Sequence, residues 1–169
     1  LYCFSLENFH SRPKQEFDYL MDLFLKEFDR MKNDERLDKY GIRVNFIGRI
    51  WMFPKKIQDV MHSLMEKTKK NDKYIINFAM AYGGRAEVVD AVKKVAELVK
   101  KGELKIDQIN EEIFSKNLYI KSEPDLIVRT AESRLSGFLP WQSTYAEIIF
   151  LPDVLWPEFG KEHFEKCLE

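Results

Sequence analysis

No apolar run in this 169-residue sequence approaches the roughly 20 residues that a helix needs to cross a bilayer. No signal peptide is visible at its start. The expectation is a cytoplasmic protein, one that touches a membrane at most peripherally, through an apolar opening. Cysteine is scarce: Cys3 and Cys167 lie far apart, which points to free thiols of a reducing compartment rather than a disulfide frame. A basic excess is missing too. Lysine and arginine total 27 against 28 acidic residues, with no long block of one sign, which argues against nonspecific nucleic-acid binding. The sequence has no internal repeat, low-complexity tract or linker, and neither a Gly-x-Gly-x-x-Gly nor a Gly-Lys-Ser/Thr loop, so a generic nucleotide-binding domain is disfavoured. Methionine is absent from the start. The chain opens Leu1-Tyr2-Cys3-Phe4-Ser5, the end of a strand, which predicts that the sequence begins partway through a domain.

What is there is ordinary globular material, 45% hydrophobic and 33% charged, in a length that fits one domain with room for a core. Leu1 to Phe4 reads as a strand that gives way to a polar loop at Ser5-Leu6-Glu7-Asn8. Pro13 opens a helix on which Phe17, Leu20, Met21, Phe24, Leu25, Phe28 and Met31 recur at three- and four-residue intervals. Ile42 to Gly48 reads as a strand, and Pro54 starts a helix with Ile57, Val60, Met61, Leu64 and Met65 on one side. Lys73 to Tyr82 is the next strand, broken by Gly83-Gly84. Val88 to Val99 marks another amphipathic helix, ended by Gly102, and Ile106 to Phe114 a further short one. Leu126-Ile127-Val128 and Ile148-Ile149-Phe150 are short buried strands, and past Trp156-Pro157 a last helix runs toward Glu169. Strands alternating with helices predict an α/β fold, a mostly parallel sheet flanked by helices, in a single domain.

The stretch from Pro124 to Phe159 carries the chemistry. Arg129 closes its first strand; Arg134, Ser136, a Gly137 hinge and an apolar block of Phe138, Leu139, Trp141 and Tyr145 follow, and Glu147 precedes the second strand. Ligands of open parallel sheets bind beyond the carboxyl ends of the strands. Two arginines, a hydroxyl and a carboxylate gathered there predict an anion site beside an apolar surface, suited to a phosphate ester with a greasy body. Taken alone, Arg129 could also pair with Asp125 or Glu132, and Glu147 could also be a solvated strand-edge acid. Gly83-Gly84 is read as a tight structural turn.

Three blocks then resemble the cis-prenyltransferases. The first is Phe4-Ser5-Leu6-Glu7-Asn8-Phe9 with Arg12-Pro13; the second is Asn77 to Glu87, NFAMAYGGRAE. The third joins Asp125, Arg129-Thr130, Glu132, Arg134-Leu135-Ser136, Phe138-Leu139, Trp141-Gln142, Tyr145, Glu147 and Trp156-Pro157. Their order and spacing run across nearly the whole chain. The family's Asp-Gly-Asn-x-Arg loop, with its magnesium-binding aspartate, is absent from this sequence, and Ala131 stands where two small residues usually do.

The resemblance implies condensation of isopentenyl diphosphate onto an allylic diphosphate, with magnesium, to give a polyprenyl diphosphate that becomes a glycosyl-carrier lipid. It implies that Arg129, Arg134 and Ser136 hold the diphosphate of the isopentenyl unit and that Glu147 helps bind magnesium. Ser5 and Asn8 would act near the reacting carbon, Phe9 and Arg12 would bind substrate, and the Phe17 to Met31 face would line the tunnel for the growing chain. A steric stop on its length is expected from bulky residues among Phe24, Leu25 and Phe28, or on the Ile75 to Phe78 strand. A homodimer and delivery of product to the membrane are implied as well. The alternative is a noncatalytic supporting subunit of the same fold. Retention of Arg129, Arg134, Ser136 and Glu147 speaks against it, since a scaffold has no need of a diphosphate site.

Overall fold

A computed structural model describes residues 1–168, which form two compact units, residues 1–83 and residues 84 onward. The first unit runs β1 (Tyr2–Ser5), α1 (Leu6–Ser11), α2 (Lys14–Lys32), α3 (Arg36–Lys39), β2 (Ile42–Ile47), a 3-10 turn (Ile50–Met52), α4 (Lys55–Thr68) and β3 (Tyr74–Tyr82). Its sheet has the order β1-β3-β2, with both pairs parallel. Strand β3 is central, which is why YIINFAMAY reads as a nearly unbroken apolar run with Ala79 to Tyr82 all buried. The polar stretch after Phe4 is not the loop its composition implies. Ser5 caps α1, its Oγ accepting the Asn8 backbone N–H at 3.0 Å, because a hydroxyl at that position satisfies an amide that the first helical turn leaves unpaired.

Pro13 and Pro54 stand immediately before α2 and α4, where their fixed φ and missing N–H cost nothing, and their carbonyls take the first helical bonds from Phe17 and Ile57, both at 2.9 Å. The two helices pack together with Met21, Phe28, Ile57, Met61 and Leu64 buried, each contributing about 1.5–3 kcal/mol. Eight phenylalanines knit this core. Phe4 meets Phe9, Phe17, Phe24 and Phe53; Phe24 stacks on Phe28, and Phe28 reaches Phe46 and Phe78. Thr68, fully buried, fastens α4 to β2: its hydroxyl donates to Leu64 O at 2.9 Å and accepts the Val44 N–H at 3.0 Å. At the end of β2, Gly48 has φ 103° and a Cβ there would lie 2.2 Å from Met80 O, so only glycine allows the chain to turn that close to β3.

The second unit runs α5 (Gly84–Lys100), a 3-10 turn (Ile106–Gln108), α6 (Glu111–Lys116), β4 (Leu126–Thr130), β5 (Glu147–Leu151), a 3-10 turn (Trp156–Glu158) and α7 (Lys161–Lys166). Gly102 ends the α5 segment with φ 74°, and Asn110 caps α6 through the Ile113 N–H. The expected last helix is α7, which stops at Lys166; its projected run into Glu169 lies outside the described residues. Strands β4 and β5 pair in parallel from Leu126 opposite Glu147 to Thr130 opposite Leu151. Every strand pair is therefore parallel, as the alternating pattern predicts. No helix among the described residues is long and apolar enough to cross a membrane.

Candidate anion-binding site

Parallel neighbours require a crossover of about a dozen or more residues, and 131–146 supplies it between β4 and β5. The carboxyl end of β4 opens into its first half, where Arg129, Arg134 and Ser136 converge on one carboxylate. Arg129 Nη2 donates to Glu132 Oε2 at 2.5 Å. Arg134 donates to Glu132 through Nη2 at 2.7 Å and Nε at 3.2 Å, and Ser136 Oγ donates to Glu132 Oε2 at 3.4 Å. The ion pair of Arg129 with Glu132, one of the alternatives the sequence leaves open, thus forms, and Arg134 and Ser136 meet at the same carboxylate. The Arg134 guanidinium, with a smaller contribution from Arg129, holds the Glu132 carboxyl below the usual carboxylate range. The Nε of Arg129 is buried and has no hydrogen-bond partner. Two guanidinium forks and a hydroxyl thus surround one carboxylate, the kind of donor set that pairs with anionic oxygens.

The backbone of this loop is unusual. Ala131, Ser136 and Leu139 have φ of 64°, 49° and 48°, in the left-handed region that side chains disfavour, and Gly137 has φ 75°. Such conformations cost about 1–3 kcal/mol each and persist where surrounding contacts fix them. The return half of the crossover provides those contacts. Leu139, Gln142 and Ser143 are buried, and Trp141 donates through Nε1 to Ser115 Oγ at 2.9 Å while its ring packs on Phe114.

Glu147 does not join the cluster. It is the first residue of β5, opposite Leu126, whereas Arg129 lies opposite Phe150. At about 3.3 Å per residue, the two stand about 10 Å apart along the strands. The expectation that the carboxylate gathers with the arginines at the strands' carboxyl ends is corrected: the crossover carries the chain back, and Glu147 begins the next strand at the amino end. Among the described residues, no group of three or more His, Cys, Asp or Glu side chains is placed to hold a metal ion.

In the first unit, Ser5 and Asn8 are brought together by the α1 cap at the carboxyl end of β1. Phe9 packs edge-on against Phe17 and Phe53, with centroids at 5.1 and 5.3 Å. The Arg12 guanidinium lies over the Phe4 ring at 5.8 Å; its Nη1 reaches Glu16 only at 3.5 Å, and its Nε is buried without a partner. It is thus a lightly paired cation on an apolar floor. Phe17, Met21, Leu25 and Ile57, together with the charged Asp18, Asp22 and Lys56, line a groove of about 260 Å³ between α2 and α4, while Phe24 and Phe28 turn into the aromatic core. The sequence offers Glu132 as a partner for Arg129, and that pair forms; for Gln142 it gives no role, and no local pattern marks the buried hydrogen bond that Gln142 makes to Glu87.

Comparison with known proteins identifies the family. The family model described as "Putative undecaprenyl diphosphate synthase" matches residues 1–169. The chain belongs to this family of cis-prenyltransferases. A relative from Methanocaldococcus jannaschii, named tritrans,polycis-undecaprenyl-diphosphate synthase (geranylgeranyl-diphosphate specific), is 47% identical over 99% of the chain. An isoprenyl transferase of Streptococcus agalactiae is 42% identical. The chain spans 61% of the length of the first of these and 68% of the second. Among solved structures, lavandulyl diphosphate synthase from Lavandula x intermedia, in complex with dimethylallyl diphosphate, superposes with a TM-score of 0.91 at 32% identity, covering 99% of this chain and 72% of that one. A probable undecaprenyl diphosphate synthase from Campylobacter jejuni gives a TM-score of 0.85 at 34% identity, covering 99% and 76%. Within this family's fold, the chain carries its arginine cluster on the β4–β5 crossover and its Ser5–Asn8 pair at the start of α1.

Proposed function

We propose that this protein condenses isopentenyl diphosphate with an allylic diphosphate to lengthen a polyprenyl diphosphate, a precursor of a glycosyl-carrier lipid. The observation that carries the reading is the convergence of Arg129, Arg134 and Ser136 on a single carboxylate. The isopentenyl diphosphate takes the place of that carboxylate, and the planar forks fix its phosphate oxygens, each charge-assisted bond contributing about 1.5–3 kcal/mol. Fixing the diphosphate holds the attached carbon chain, which lowers the entropic cost of bringing two substrates into register.

In the first unit, Arg12, whose guanidinium lies over the Phe4 ring, offers a cation to a second diphosphate, and Phe9 packs edge-on against that same ring. Ser5 Oγ spends a lone pair on the α1 cap, which leaves its hydroxyl proton to donate, and Asn8 lies one turn on. The groove beside Leu25 has an apolar floor of Phe17, Met21 and Ile57 on which an isoprenoid tail would lie, with Asp18, Asp22 and Lys56 also in its lining. Magnesium belongs to the family's chemistry, where it neutralises charge gathering on a leaving diphosphate. Glu147 offers it one exposed carboxylate, but a single carboxylate about 10 Å along the strand from Arg129 does not make a magnesium site with the arginine cluster of the same chain, and no step here runs through the ion. Exposed Ile148 and Phe150 on β5 support a homodimer, and the insoluble product supports handover at a membrane surface.

The test is incorporation of labelled isopentenyl diphosphate into extractable lipid, using the longest natural form of the protein, farnesyl diphosphate and magnesium, beside an Arg129→Ala control. Long-chain lipid that vanishes in the control supports the reading. Absence of lipid product despite tight pyrophosphate binding overturns it in favour of a supporting subunit.

A further inference from the structure

Two polar side chains of the second unit are buried almost completely without being part of the arginine cluster: Glu87, 1% exposed on the first turn of α5, and Gln142, 2% exposed on the return half of the crossover. Burying a carboxyl group is costly unless donors satisfy it. Here Glu87 Oε1 accepts the Tyr119 N–H at 2.8 Å, the Ile120 N–H at 3.4 Å and Gln142 Nε2 at 3.1 Å. Gln142 Nε2 donates again to Ile120 O at 3.1 Å. One oxygen therefore joins the start of α5, the 119–120 strip and the crossover.

One turn earlier a second fastening acts on the same loop. The Gly84 N–H donates to Gly137 O at 3.0 Å, and a Cβ on Gly84 would lie 2.3 Å from that oxygen and 2.2 Å from Pro140 Cδ. The two contacts bracket residues 137–142 against the first turn of α5. Within the bracket Gly137 and Leu139, and directly before it Ser136, have positive φ. Local sequence preference does not maintain such a run, so the fastenings must.

We propose that Glu87, acting through Gln142, is a positioning residue for diphosphate binding. It touches no substrate. By pinning the return half of the crossover it keeps the Ser136–Leu139 turn in the conformation that presents Ser136 and Arg134 beside Arg129. The inference rests on the anion-site reading above and adds the element that holds that site in shape.

The experiment measures pyrophosphate binding by calorimetry, and the KM for isopentenyl and allylic diphosphates, in the longest natural form of the protein. The variants are Glu87→Leu, Glu87→Gln, Gln142→Met and Glu87→Leu/Gln142→Met, with Arg129→Ala alongside and the thermal midpoint recorded for each. Glu87→Leu and Gln142→Met are expected to weaken pyrophosphate binding and raise the KM for isopentenyl diphosphate by about tenfold, with the allylic KM changing less than about threefold. The double variant is expected to be no worse than the poorer single one, because both break one contact. Glu87→Gln retains a carbonyl acceptor and recovers most of the loss. If Glu87→Leu does not fold, Gln142→Met carries the test. Unchanged pyrophosphate binding in Gln142→Met, or equal loss for both substrates in step with the thermal midpoint, overturns the proposal while Arg129→Ala still binds poorly. Normal binding in Arg129→Ala overturns the anion-site reading, and this inference with it.

Discussion

Replacing Arg129 offers a sharp test of the anion site, because the structure shows what each of its nitrogens is doing. Nη2 is held on Glu132 and Nε is buried, so an incoming diphosphate meets a guanidinium already oriented at the strand end. Arg129→Ala removes one or more charge-assisted hydrogen bonds of about 1.5–3 kcal/mol, equivalent to a loss of about tenfold to a hundredfold in affinity. Arg129→Lys keeps the charge and loses the fork, so it should recover only part of that loss. Pyrophosphate titrated by calorimetry at two salt concentrations separates the two contributions: the part due to net charge shrinks as salt rises, and the part due to paired geometry shrinks less. The thermal midpoint should move little, since the lost pair is partly exposed. Binding within twofold of the parent in Arg129→Ala, with the protein folded, would refute the assignment.

The remaining predictions concern the scaffold and pH. Thr68→Val should cost about 1–3 kcal/mol in urea unfolding by orphaning the Val44 N–H, with Thr68→Ser close to the parent. Phe28→Ala should cost about 3–5 kcal/mol, being a large-to-small change in the aromatic core. Gly48→Ala, with its Cβ 2.2 Å from Met80 O at φ 103°, should lower the unfolding midpoint visibly in the same assay. For Glu132 the folded carboxyl is depressed below its ordinary 4.5, so its contribution is present above that pH and is lost as pH falls through the lower folded value. A carbon-detected titration should find that low midpoint, and Arg134→Ala should move it upward.

The parallel α/β layering, the two long amphipathic helices and the arginine-bearing strand end were all legible, because hydrophobic period and strand length report burial directly. What escaped were features fixed by contacts distant in sequence. Ser5 to Asn8 reads as a loop by composition, yet its serine is a helix cap, a role that serine plays because it is polar. Glu147 sits beside Arg134 and Ser136 in sequence, but a parallel crossover carries the chain the length of a strand before it pairs again. Gly84 reads as turn freedom, whereas its use is close approach to Pro140 and Gly137. Glu87 and Gln142 are separated by the whole of α5, α6 and β4, and no local pattern links them.

The phenylalanine-built core of residues 1–83 has a spectroscopic consequence. Phenylalanine emits feebly, and the one tryptophan of that segment, Trp51, is 57% exposed and outside the ring network. Intrinsic fluorescence will therefore be nearly blind to the packing around Phe4, Phe28 and Phe46. Loosening of that core by a mutation or by an inserted hydrocarbon would leave the emission spectrum almost untouched while broadening aromatic proton resonances, so ring-flip linewidths are the observable that can follow it.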